Sequence, residues 1–189
     1  MENKTRKVAW GITGSGDKLE ETYEAMLGIR GEYGDVEVFL SKAGVQVAKY
    51  YKIEEGLREN FSRVWEEKNA NSPFLASRLQ LGEFAFILLA PATSNTVAKL
   101  AHGISDTMLT NAAIQALKAY VPVYVMPTDF KEGTTITRLP DGRELRLRVR
   151  KEDAENVRRL EGMEGLTVFE SPKEIRGIFS KRLDIDKPV

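Results

Sequence analysis

Along the chain, short runs that are apolar at nearly every position alternate with stretches whose apolar residues recur every three or four positions. Val8–Thr13 (VAWGIT) reads as a buried strand, followed by the glycine-rich turn Gly14-Ser15-Gly16 and an amphipathic helix over about Asp17–Arg30. Asp35–Leu40 (DVEVFL) supplies a second strand after the Gly34 break, and Ser41-Lys42-Ala43-Gly44 turns it into a helix through Tyr51. The polar region Glu54–Asn71 is expected to be helical in part, with its EEGLREN and WEEKNANS pieces as alternative lid or oligomer-contact segments. Phe84–Pro91 (FAFILLAP) is continuously apolar, the pattern of a parallel strand covered on both faces, and Pro91 is expected to stop its ladder.

Thr93 or Ser94 can cap a helix running to about His102, with Gly103 in the left-handed position after it. Ser105 or Asp106 can cap a second helix to about Tyr120. Val121–Met126 (VPVYVM) follows as a strand with Pro122 at its start, and Pro127-Thr128-Asp129 opens a loop at its carboxyl end. Two β-prone runs then flank Pro140-Asp141-Gly142-Arg143, which predicts a hairpin over about Thr134–Val149. Lys151–Met163 reads as a helix, Leu166–Phe169 as a last short strand and Pro172–Leu183 as a closing helix. About five parallel strands interleaved with helices give a three-layer doubly wound α/β fold, Rossmann/flavodoxin-like, with an inserted hairpin, as a single domain over residues 1–189.

Composition narrows the chemistry. Lys and Arg number 28, as do Asp and Glu, so nucleic acid is not an expected partner. The longest apolar run, Phe84–Ala92, is far below the roughly 18 residues of a membrane span, and MENKTRK at the start lacks an apolar signal core. No membrane association is expected, and the location is expected to be cytoplasmic. The chain has no cysteine and a single histidine, His102, which excludes disulfides, thiolate catalysis, iron–sulfur ligation and multi-histidine metal sites. No metal is expected. Chemistry must come from hydroxyls, carboxylates, backbone amides or a borrowed cofactor.

In a doubly wound sheet ligands bind beyond the carboxyl ends of the strands, where the strand order reverses. Gly11-Ile12-Thr13-Gly14-Ser15-Gly16-Asp17 offers hydroxyls and free amides at a helix N-terminus, an arrangement that can hold a phosphate; a tight strand–helix turn without ligand is the plain alternative. The dinucleotide fingerprint fails, since Leu19 stands where its third glycine belongs and Ser41-Lys42 where its acidic residue belongs. The P-loop fails too, because Asp17-Lys18 puts a negative charge where the triphosphate lysine belongs. A mononucleotide phosphate remains admissible, with Ser41 and Lys42 adding a hydroxyl and a positive charge, unless Ser41 is only a helix cap.

The loop Ala90-Pro91-Ala92-Thr93-Ser94-Asn95-Thr96, continuing through Ala101-His102-Gly103-Ile104-Ser105-Asp106, resembles the flavoproteins grouped with the homo-oligomeric flavin-containing cysteine decarboxylases. Their hallmark is Pro-Ala-Ser/Thr-x-Asn-Thr followed by Ala-x-Gly-x-x-Asp. The resemblance covers about Val8–Met126 and implies FMN, with its phosphate near Thr13, Gly14, Ser15, Gly16 and Ser41. It puts Thr93, Ser94, Asn95 and Thr96 near the ribityl chain and ring, and Lys42, Ala92 and Met126 complete the implied cofactor-binding set. A flavin needs a few amide or hydroxyl hydrogen bonds and an apolar slot, and this cluster supplies the former.

The decarboxylases depend on a histidine upstream of the third strand, and Ser72–Glu83 has none. Their Pro-Ala-Met-Asn segment is replaced by Val125-Met126-Pro127-Thr128-Asp129-Phe130, and the arginine that flavin prenyltransferases place near Met126 is missing. The chain is similar instead to the archaeal branch, the archaeoflavoproteins and dihydromethanopterin reductase-like flavoproteins. The matching pieces are Trp10-Gly11-Ile12-Thr13-Gly14, Met126-Pro127-Thr128-Asp129, Leu139-Pro140-Asp141-Gly142 and Leu147-Arg148-Val149-Arg150-Lys151-Glu152-Asp153. This implies an FMN-dependent oxidoreductase that reduces a pterin such as dihydromethanopterin, or an electron carrier coupled to ferredoxin. A cysteine-type decarboxylase and a non-catalytic FMN-binding module are the alternatives. The resemblance also implies a homo-oligomer built from trimers.

His102, in Ala-His-Gly at a helix end, suits capping and the helix dipole better than catalysis. Asp129 is the polar candidate for substrate or ring contact, against a solvated turn aspartate. Trp10, Phe84, Phe86 and Tyr124 are expected in the core or at subunit contacts. The hairpin and its flank carry Arg138, Arg143, Arg146, Arg148, Arg150, Lys151, Arg158 and Arg159 among several carboxylates. The conservative reading is a mixed solvated face; the functional one covers the flavin pocket, makes an oligomer contact or docks ferredoxin.

Overall fold

The computed structural model describes residues 7–184; apart from Lys7, the MENKTRK segment lies outside them. The elements run β1 (Lys7–Ile12), α1 (Leu19–Ile29), β2 (Val36–Leu40), α2 (Lys42–Tyr50), α3 (Glu54–Asn60), β3 (Arg63–Glu66), α4 (Leu75–Gln80) and β4 (Phe84–Ala92). They continue with α5 (Ser94–Ala101), α6 (Met108–Lys118), β5 (Val123–Pro127), β6 (Gly133–Arg138), β7 (Glu144–Val149), α7 (Lys151–Glu161), β8 (Leu166–Val168) and α8 (Ile175–Asp184). Six strands form a parallel sheet in the order β3-β2-β1-β4-β5-β8, and β6 pairs antiparallel with β7 outside it. This is the expected doubly wound α/β fold of Rossmann/flavodoxin type with its hairpin.

Alternation along each strand builds a core on each face of the sheet. Val8, Trp10 and Ile12 of β1 pack with Leu19, Met26 and Ile29 of α1 and with Phe179 of α8. Ala9 faces the other way, into a core shared by α4, α5, α6 and α7. Trp10, Phe84, Phe86 and Tyr124 are all buried, as expected of core residues. The Trp10 indole N–H donates to the Ala90 carbonyl at 2.7 Å, which joins β1 to β4 through a side chain as well as the ladder.

Three sequence expectations need correction. The polar stretch 54–71 is helical over Glu54–Asn60 but also contains β3, which makes six parallel strands rather than about five. β3 is a four-residue edge strand whose ends, Arg63 and Glu66, are exposed, so it lacks the apolar run that marks the inner strands. Pro91 does not end β4. The register shifts between Leu89 and Ala92, so the ladder needs no amide at Pro91, and Ala92 pairs with Pro127 beyond it. The helix after Gly103 is capped by Thr107, not by Ser105 or Asp106, in a reciprocal pair with Thr110. Among the described residues no helix is long and apolar enough to cross a membrane.

Candidate functional site

The strand order reverses between β1 and β4, so the loops after them diverge toward opposite faces of the sheet and leave a crevice at their carboxyl ends. Thr13 fastens the two loops. Its hydroxyl donates to the Pro91 carbonyl at 2.9 Å and accepts the Thr93 amide at 2.9 Å, while its own amide reaches Pro91 at 3.3 Å. Above this junction lies a cleft of about 350 Å³, lined by Gly14, Ser15, Gly16 and Asp17 from the first loop, Thr93 and Ser94 from the third, and Thr128 and Asp129 after β5. Tyr50 and Tyr51 at the end of α2 form one wall. Thr135, Thr137, Leu139, Leu145 and Leu147 of the hairpin form the roof.

The polar end of the cleft is built from backbone. Among the described residues the amides of Gly14, Ser15 and Gly16 have no protein acceptor, and neither do those of Ser94 and Asn95 at the start of α5. Unsatisfied amides at a loop and a helix N-terminus attract an anion or a carbonyl-rich edge. The glycines are required by close approach. A Cβ on Gly14 would stand 2.6 Å from the Cβ of Ala43, and one on Gly16 would collide with the Tyr51 ring. Tyr51 in turn donates its hydroxyl to the Arg138 carbonyl at 3.1 Å, so the loop, α2 and the hairpin are mutually located.

The roof is apolar because the hairpin alternates. Register pairs Thr135 with Leu147 and Thr137 with Leu145 on the cleft side, and Thr134 with Arg148 and Ile136 with Arg146 on the other. Leu145 and Leu147 remain 41% and 47% exposed, an apolar surface turned toward open space. The Pro140-Asp141-Gly142-Arg143 turn forms as expected, with Gly142 at φ +85 and the Leu139 amide donating to the Arg143 carbonyl.

The sequence-selected residues divide. Gly14, Ser15, Gly16, Thr93, Ser94 and Asp129 line the cleft. Thr13 and Ala92 lie buried beneath it, and Met126 is fully buried in the core. Thr96 is buried in the first turn of α5, within 3.1 Å of the Thr93 hydroxyl, and Asn95 is exposed at the helix start. Ser41 caps α2 by accepting the Gly44 amide at 2.9 Å, which leaves its O–H to donate. Lys42 is exposed and its amide is taken by Glu67. His102 is the exposed C-cap of α5, consistent with an end-capping role.

The sequence offers the hairpin as a cover for the pocket and places Thr128 in the loop after the Val121–Met126 strand, but it does not single out Tyr50, Tyr51, Thr128 or the inner hairpin residues as lining the site. The period-two alternation at Thr135, Thr137, Leu145 and Leu147 was the available signal. Nor does the sequence single out Glu67, whose carboxylate accepts the first amides of α2 and α6 at 3.0 and 2.9 Å and so ties two helix starts together.

Electrostatically the cleft is unusual in facing two carboxyls. Burial pushes the Asp17 carboxyl above its ordinary value, with Lys18 opposing and Glu21 and Asp129 adding to the rise. Burial also raises Asp129, with the Ser94 hydroxyl opposing and Asp153 adding to it. Among the described residues no group of His, Asp or Glu is placed to hold a metal ion.

Comparison with known proteins gives a consistent set of relatives. The family model described as Flavoprotein matches residues 1–174. The chain is 47% identical over 182 residues to the uncharacterized protein MJ0730 of Methanocaldococcus jannaschii, covering 96% of this chain and 98% of that one. It is 30% identical to the dihydromethanopterin reductase (acceptor) of the same organism, covering 93% of this chain and 96% of that one. Among solved structures, DmrB of Burkholderia xenovorans in complex with FMN, described as a cubic protein cage for redox transfer, superposes with a TM-score of 0.84. Its sequence is 34% identical, with 97% of this chain and 98% of that chain covered.

Proposed function

The chain belongs to the Flavoprotein family, and from that premise we propose that its cleft holds FMN and that the protein is an FMN-dependent oxidoreductase of the dihydromethanopterin reductase type. The observation that carries this reading is the pairing of free amides at Gly14–Gly16 and Ser94 with an apolar roof of Leu139, Leu145 and Leu147 in one cleft at the switch point. A phosphate suits the first set of amides, a polar ring edge or ribityl hydroxyl the second, and an apolar ring the roof. Bound there, FMN would pass a hydride or single electrons, and the protein's part is to hold it, shield it and tune it.

In this reading Gly14, Ser15 and Gly16 hold the phosphate, with the Ser41 hydroxyl as an added donor and Lys42 as a nearby charge. Thr93, Ser94, Asn95 and Thr96 serve the ribityl chain and ring, and Thr13, Ala92 and Met126 support them from below. The substrate is a pterin, and the electron donor is ferredoxin or another small acidic carrier. The carrier docks on the outer hairpin face, where Arg146 and Arg148 are exposed and have no ion-pair partner among the described residues. The protein works in the cytoplasm as a homo-oligomer built from trimers. Decarboxylation of a peptidyl cysteine is disfavoured by the absence of histidine from Ser72–Glu83.

The test is the absorption spectrum of the purified protein, mass identification of its chromophore, and reduction by ferredoxin followed by addition of dihydromethanopterin. Flavin bands that bleach and are then restored by the pterin support the reductase. Bleaching that the pterin does not reverse makes the protein a carrier. A colourless protein that takes up no added FMN overturns the reading.

A further inference from the structure

Asp17 and Asp129 are not accounted for by the binding of a flavin phosphate. Both line the cleft, and neither forms an ion pair among the described residues. The cations nearest to them are engaged elsewhere. Lys18 gives its ammonium to the Glu170 carbonyl at 2.9 Å, and Arg150 is forked on Asp153 at 2.9 and 2.6 Å. The charged and polar groups facing Asp129 are Ser94 of α5, Asp153 and Arg150 at the start of α7, and Lys18. Those facing Asp17 are Lys18 and Glu21 at the start of α1, Asp129, and Thr137 of β6. Arg150 is answered by Asp153 while Lys18 meets only a neutral carbonyl, so one cation stands against two half-buried acids lining a cleft that takes an anion, and a proton on one of them relieves the excess negative charge.

The two acids occupy different ends. Asp17 follows directly on the Gly14–Gly16 amides, at the phosphate end, whereas Asp129 lies after β5 beside Ser94, at the end left for the ring and the substrate. Resting on the functional reading above, we propose that Asp129, which lines the cleft beside Ser94 and has no ion pair among the described residues, is the catalytic acid of the reduction. When a C=N bond of a dihydropterin is reduced, the carbon gains a hydride and the C=N electron pair moves onto nitrogen. The nitrogen then takes the Asp129 proton, leaving a carboxylate that water in the open cleft reprotonates. Both electrons come from the reduced flavin, which the electron carrier recharges; this chain supplies the proton.

The experiment uses FMN-loaded protein, pre-reduced and mixed with dihydromethanopterin in a single turnover across a pH series, for the wild type and Asp129→Asn. FMN affinity is followed by flavin fluorescence, and the carboxyl carbons are titrated by NMR in the flavin-free protein. Asp129→Asn is expected to slow the single turnover by about 100-fold while still binding FMN, the scale of a lost general acid. The rate needs the protonated acid, so in the wild type it falls as pH rises through the Asp129 titration. Asp129→Asn has no acid to titrate there, so its residual rate is expected to lose that fall, and the Asp129 carboxyl resonance of the wild type is expected to titrate over the same pH range as the fall.

An Asp129→Asn protein of undiminished single-turnover rate overturns the inference. So does one that raises KM for the pterin with kcat unchanged, which would make Asp129 a binding residue, or one whose rate keeps the wild-type fall with pH. A wild type that takes up no FMN, or whose reduced flavin no dihydropterin reoxidises, defeats the functional reading first and the proton role with it.

Discussion

Thr13 accepts the Thr93 amide on its side-chain hydroxyl at 2.9 Å, and through this bond the loops that follow β1 and β4 are held at a fixed separation. The same hydroxyl donates to Pro91, so both its donor and acceptor capacity are used in a buried position. Replacing it with valine of similar shape leaves the Thr93 N–H without its acceptor and the Pro91 carbonyl without its side-chain donor. Thr13→Val is expected to lose about 2 kcal/mol in chemical denaturation and to weaken FMN, while Thr13→Ser retains both properties.

Gly16 faces the Tyr51 ring with no room for a methyl group. Gly16→Ala must displace Tyr51, and with it the bond from the Tyr51 hydroxyl to Arg138 that seats the hairpin. FMN affinity by fluorescence titration is expected to fall by more than about tenfold, equivalent to about 1.4 kcal/mol. Tyr51→Phe, which removes only the bond, should fall between Gly16→Ala and the wild type. Equal affinity in all three proteins would detach the hairpin from cofactor binding.

Leu145 and Leu147 point an exposed apolar face into the cleft, so their energetic value appears only when a ligand covers them. The double variant Leu145→Ser, Leu147→Ser is expected to change unfolding free energy by less than about 0.5 kcal/mol per site. FMN binding should nonetheless weaken measurably. An unaltered dissociation constant would show that the roof does not touch the ring.

On the opposite face of the same ribbon, Arg146 and Arg148 present charge to solvent. Exchanging both for glutamate should slow reduction by ferredoxin, with the difference from wild type shrinking as salt rises above about 0.15 M. Reduction by dithionite, a small chemical reductant, should be unchanged. A ferredoxin rate insensitive to both charge and salt would remove this face as the docking site.

Glu37 tests the fold rather than the site. It is fully buried on β2, and burial alone would raise its carboxyl. Hydrogen bonds from Arg78 at 2.8 and 2.8 Å, Lys7 at 2.9 Å and the Trp65 indole at 2.7 Å outweigh that and hold it at about 2. A carboxyl lowered on folding stabilises the protein above its unfolded value near 4.5, and this contribution is lost as pH falls toward about 2. Glu37→Gln leaves the buried side of Arg78 uncompensated and is expected to cost about 3 kcal/mol near neutrality. In denaturation experiments the gap between variant and wild type should close between about pH 4.5 and about pH 2.

The parts that were legible in the sequence are those governed by local rules. Inner strands such as FAFILLAP announce themselves because burial on both faces leaves no polar position. Gly14-Ser15-Gly16 and Thr93-Ser94 announce a tight glycine loop and a helix start because small residues and short hydroxyls sit there for local reasons. β3 escaped because an edge strand has one covered side and needs no apolar run, and its neighbour relation to β2 is a pairing over distance. Within its own segment Asp17 signals only the exclusion of a P-loop, and nothing there shows that it shares a cleft with Asp129.

Local patterns in the chain carry the doubly wound class, the glycine loop, a cap at Thr93 or Ser94 and the Asp141-Gly142 turn, because backbone conformation, capping and two-sided burial act within a few residues of each other. Packing of the whole chain is what turns the hairpin's leucines over the loops, links Tyr51 to both the hairpin and Gly16, and binds Thr13 to Thr93 across 80 positions. Those relationships depend on the order β3-β2-β1-β4-β5-β8, which brings distant loops to one end of the sheet. Strand order is set by the packing of the whole chain, and no single segment encodes it.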